Sequence, residues 1–85
     1  MTDDELIARA VTFLRWTESQ RSAKADDDFR ALTVDSMPLR RFAGDTIHFE
    51  RNGTRAYITV VVDRQSGKIQ GATYYLPPPE ATPSI

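Results

Sequence analysis

The chain has 85 residues, of which 40% are hydrophobic and 27% charged, with 11 basic residues against 12 acidic ones and a net charge of −1. That length accommodates one hydrophobic core and excludes two domains, while the composition is ordinary globular usage and excludes a wholly disordered or fibrous chain. Interleaved charges leave Arg40-Arg41 as the only adjacent basic pair, so the basic face that releases counterions from phosphate is missing and nucleic acid is a disfavoured partner, with Arg30, Arg40 and Arg41 its only candidate contacts.

From the N-terminus, Thr2 and Glu5 have the spacing of a capping box, and Asp3, Asp4 and Glu5 place negative charge at the positive end of a helix dipole. Leu6, Ala10, Phe13 and Thr17 form one row, and Ile7, Val11 and Leu14 the next, which predicts a helix with a wide apolar stripe ending between Gln20 and Ala23. Trp16 beside Phe13 reads as core. Residues Arg21 to Asp28 read as a polar connection, with Asp26-Asp27-Asp28 as solvated linker acids positioned to cap the next element. From Phe29 to Phe42 the signals conflict. Phe29 with Leu32 suits a helical turn, Thr33-Val34 suits a strand, and Pro38 removes Met37 from helical geometry. Residues Pro38 to Ala43, stopped by Gly44, read as one short helical turn.

In the C-terminal half, residues 46–51 and 54–63 flank Asn52-Gly53, the dipeptide suited to a two-residue hairpin loop. That loop sets Phe49 opposite Ala56, His48 opposite Tyr57 and Ile47 opposite Ile58. A second turn over Arg64 to Gly67 sets Asp63 against Lys68, Val62 against Ile69, Val60 against Gly71 and Ile58 against Thr73. Ile47, Phe49, Ala56, Ile58, Val60, Val62 and Ile69 then share one face, which the helix stripe covers. The fold class is α+β: an N-terminal amphipathic helix packed on a three- to four-stranded antiparallel β-meander. Residues 1–76 form the single domain, and 77–85, with four of the five prolines, a flexible tail.

The same register places His48, Tyr57 and Tyr74 in one row on the opposite face, with Val61 and Gln70 in neighbouring rows. These five are the candidate partner-binding residues, because tyrosines give large contact area at low entropic cost. The same row also reads as ordinary cross-strand pairing that stabilises a sheet. One histidine and no cysteine leave no zinc set, disulfide or cysteine nucleophile, and no Gly-x-Ser-x-Gly elbow or glycine-rich phosphate loop is present. No catalytic residue, metal or cofactor is expected. Asn52-Gly53-Thr54 matches a glycosylation acceptor but reads as a turn. No apolar run approaches a bilayer span and the N-terminus opens acidic, so a cytoplasmic protein off the membrane is expected. Residues Val62 to Ile69 resemble the closing hairpin of small PepSY-type domains, which are helix-and-sheet modules usually placed outside the cytoplasm. The expected function is a non-enzymatic interaction module of the inhibitor, immunity or adaptor type. It uses a sheet face or edge against a protein partner or a second copy. The alternative is a small-molecule binder with a pocket between helix and sheet, lined by His48 and the tyrosines.

Overall fold

The computed structural model describes residues 1–22, 24 and 27–78. Helix α1 spans Asp3–Ser19, and the Thr2 side chain accepts the Glu5 N–H at 3.2 Å, ahead of three acids in the first turn. This is the expected cap, and it satisfies one of the donors that a helix start leaves without an internal partner. The stripe buries Leu6, Ala10, Val11 and Leu14, with Ile7 and Phe13 packed beside them. Trp16 departs from expectation: it is 62% exposed. At 100° per residue it falls beside Arg9 and Thr12 on a flank of the helix, away from the buried rows.

After α1, a short helix α2 spans Asp27–Ala31 with Asp27 and Asp28 in its first turn, and a single 3-10 turn spans Val34–Ser36. Four strands follow, β1 (Leu39–Ala43), β2 (Thr46–Glu50), β3 (Tyr57–Val62) and β4 (Ile69–Tyr75), in an antiparallel sheet of order β1-β2-β3-β4. The α+β meander is thus as expected. The stretch 39–43 corrects one expectation, being a strand and not a helical turn. Its pairing with β2 runs from Leu39 against Glu50 to Ala43 against Thr46, and Gly44 at φ 62° serves the intervening turn. The flexible tail expected over 77–85 lies outside the described residues from position 79 on.

The β2–β3 register also differs. Phe49 pairs with Ile58 and His48 with Thr59, two residues away from the expected pairing, because the loop runs over residues 51–56. A two-residue type I′ turn needs positive φ at both central residues. Here Gly53 has φ 82° and Asn52 does not adopt a positive value. A slip of two residues preserves which side each residue faces. Ile47, Phe49, Ala56, Ile58, Val60 and Val62 therefore still meet α1, each no more than 6% exposed. Leu32, Val34 and Met37 complete this core from the segment between α2 and β1. Truncating Phe49, which is fully buried, leaves a cavity that its neighbours cannot fill. Phe49→Ala is expected to lower stability by about 3–5 kcal/mol in urea unfolding.

Candidate functional site

β4 decides which side chains reach the sheet's open side. Val62 pairs with Ile69 as expected, but Val61 pairs with Gly71, so Gln70 is an extra residue with no partner on β3. Such a bulge reverses the alternation of sides beyond it. Ile58 then faces Tyr74 and Tyr57 faces Tyr75. The expected row of His48, Tyr57 and Tyr74 is therefore not formed. His48, Tyr57 and Val61 share the outer side, Gln70 is exposed at the bulge, and Tyr74 lies on the α1 side. The residue that sequence reasoning missed is Tyr75. Its ring stacks on that of Tyr57 at 4.8 Å between centroids and 19° between planes. Tyr57, Val61 and Tyr75 are 37%, 38% and 40% exposed. Around them the outer side carries Thr46, His48, Thr59 and Thr73, with an Arg41–Glu50 ion pair at 2.9 Å toward β1.

The three arginines considered for nucleic acid do not gather. Arg41 is held by Glu50, Arg30 lies 3.8 Å from Asp27, and Arg40 lies over the Phe49 ring on the opposite side of β1 from Arg41. No described helix is long and apolar enough to cross a membrane.

On the α1 side, Tyr74 enters a polar cluster. Its hydroxyl donates to Glu18 Oε2 at 2.6 Å, and the same oxygen accepts the Val34 N–H at 2.9 Å. The Arg21 guanidinium lies against both the Phe29 and Tyr74 rings, 4.4 and 4.8 Å from their centroids, and the two rings meet edge to face at 6.0 Å. It donates to the carbonyls of Phe29 at 3.1 Å and Leu32 at 2.7 Å. These contacts tie α1, α2, the 3-10 turn and β4 together. Among the described residues no buried side-chain polar atom lacks a hydrogen-bond partner, and the cluster reads as a clamp.

The hollow between helix and sheet lies elsewhere. A groove of about 600 Å³ separates α1 from the start of β4, lined by Ala8, Arg9, Thr12, Phe13, Gly67, Lys68 and Ile69. His48 and Tyr57 lie on the other side of the sheet and do not line it.

No family model matches this chain, and no curated protein or solved structure matches it. The resemblance of Val62 to Ile69 to PepSY-type hairpins rests on those residues alone.

Burial first, and then the Glu18 hydrogen bond, raise the Tyr74 phenol above the ordinary tyrosine range. The folded protein thus holds this proton more tightly than the unfolded chain does. The stability gained is complete below about pH 10 and is lost as the pH climbs beyond it. Tyr74→Phe is expected to cost about 1–2 kcal/mol at neutral pH. In urea titrations from about pH 8 to about pH 11, the wild type should lose stability more steeply than the variant.

Proposed function

We propose that the protein is a non-enzymatic protein-interaction module that meets its partner with the outer side of its sheet. One observation supports this above the others. No described element covers that side, and the stacked Tyr57–Tyr75 pair stands on it beside Val61. Two tyrosines already held against each other lose little further freedom on contact, and their hydroxyls remain able to hydrogen-bond. The surrounding threonines and His48 supply the polar rim that such patches carry. This reading places the protein with small inhibitors, immunity proteins and adaptors, acting in the cytoplasm, where a chain without cysteine has no need of an oxidising compartment. The partner is a protein, either another chain or a second copy of this one.

A small-molecule reading has the α1–β4 groove in its favour, with Arg9, Thr12 and Lys68 as its polar groups in place of His48 and Tyr57. The groove opens broadly to solvent, whereas ligand pockets enclose most of their occupant.

The test is a pull-down with the intact protein, in parallel with Tyr57→Ala/Tyr75→Ala. A specific partner should be retained by the wild type and weakened at least about tenfold by the double substitution. The thermal midpoint of the variant should stay within about 5 °C, since the two rings are substantially exposed. A partner held equally by both proteins overturns the assignment.

A further inference from the structure

We infer that the free edge of β4 is a self-association surface. Two copies pair β4 against β4, antiparallel, about a two-fold axis perpendicular to the sheet and passing near Ala72 and Thr73. The sheet continues through the pair, and both α1 helices lie on the same side. This surface is the edge of β4 and the flank above it on the α1 side, whereas the Tyr57–Tyr75 patch lies on the outer side of the sheet; Tyr75 is common to both, and neither reading rests on the other.

The two edges of the sheet differ in chemistry. β1 follows Pro38 and contains Arg40 and Arg41, so pairing it with another copy of itself brings arginines together. Charges and prolines are the usual means by which edge strands are kept from pairing. β4 has seven residues, Ile69 to Tyr75, with no charge and no proline among them. Its bulge lies at the second residue and leaves Gly71 to Tyr75 regular. Antiparallel self-pairing of this strand opposes no like charges.

The flank above the edge is equally incomplete. α1 runs in the same direction as β4, since Ala8 and Arg9 line the groove with Gly67 and Lys68 at its start while Glu18 bonds Tyr74 near its end. The helix does not reach past the edge strand. Ala72 is exposed although it shares the α1 side with Tyr74. Phe13 and Ile69 show into the groove, and Trp16 stands 6.5 Å from Phe13 on the flank it shares with Thr12. A tryptophan left this open on one copy gains a covered site when the second copy closes the groove.

Charge complementarity selects a second copy as the occupant. The groove is positive at one end, where Arg9 and Lys68 lie. The last turn of α1 holds Glu18 and no basic residue, its terminal carbonyls carry partial negative charge, and the Arg21 guanidinium just beyond it is turned to the Phe29 and Leu32 carbonyls. A two-fold axis turns the helices antiparallel. Arg9 and Lys68 of one copy then lie toward the C-terminal turn of α1 in the other, twice over. The size also suffices. β4 spans roughly 23 Å at about 3.3 Å per residue, and two layers about 10 Å apart give a strip that buries on the order of 1,000 Å² in total. That is the lower bound of specific interfaces and fits a reversible dimer.

Sedimentation equilibrium of the full chain from about 5 to about 500 µM tests this. The wild type should fit a reversible dimer of the 9.6 kDa chain. Ala72→Arg should raise the dissociation constant by about thirtyfold or more. Mixing it with Ala72→Asp should restore association as a heterodimer, while Tyr57→Ala leaves the dimer intact. Trp16→Glu, on the helix surface and clear of the sheet, should also weaken the dimer, and it serves if the strand variants fail the circular-dichroism check for folding. A monomer at every concentration overturns the inference. So does a dimer that neither Ala72→Arg nor Trp16→Glu weakens.

Discussion

The single extra residue at Gln70 is the constraint on which both sides of this sheet depend. A strand alternates its side chains with a period of two, so one unpaired residue exchanges the two sides for everything beyond it. Before the bulge, Ile69 meets Val62 under the helix. After it, Tyr74 turns under the helix and Tyr75 turns out to Tyr57. Without the bulge, Thr73 would lie below α1 and Tyr74 would stand outside. The polar clamp and the tyrosine pair would both be lost with one backbone change.

The clamp explains how an irregular segment acquires a fixed course. Residues 29–37 hold only the end of α2 and one 3-10 turn, whose few internal hydrogen bonds leave other backbone groups to find partners outside the segment. Arg21 supplies donors to the carbonyls of Phe29 and Leu32, while Glu18 accepts the Val34 N–H and the Tyr74 hydroxyl. A planar guanidinium is suited to this place, because it lies against the Phe29 and Tyr74 rings and still donates its N–H groups to the Phe29 and Leu32 carbonyls. With the segment anchored, Leu32, Val34 and Met37 close the core over the end of the sheet.

The features legible in the sequence were those that depend on local period. The Thr2 cap, the Leu6–Ala10–Leu14 stripe, the apolar side of β2 and β3, and the Asp63–Lys68 closure, where the Asp63 N–H donates to the Lys68 carbonyl at 2.8 Å, all arise from residues near one another in the chain. The displaced Asn52-Gly53 loop did no harm to the core, because a shift of two keeps every residue on its side. The bulge was not legible. Gly71 within the strand run is the one hint of a bulge, but a glycine does not fix whether a residue is inserted or at which position, and an odd shift moves every later side chain. The candidate site inherited that error at Tyr74 and missed Tyr75. β1 was hidden for another reason: Arg40 and Arg41 suit neither side of a strand by hydropathy, and the Arg41–Glu50 pair and the Arg40 contact with Phe49 that accommodate them come from β2.

The arginines of β1 have a consequence for how this sheet can grow. A sheet with two receptive edges can add copies at both ends and extend into a fibre. A sheet receptive at one edge only, with that edge matched to itself, is exhausted after a single addition because the outward strands of the product are both β1. In the proposed edge-to-edge pair, Arg40 and Arg41 would act as terminators that restrict assembly to a closed dimer. A chain with a long uncharged strand at its margin can in this way remain dispersed at high concentration.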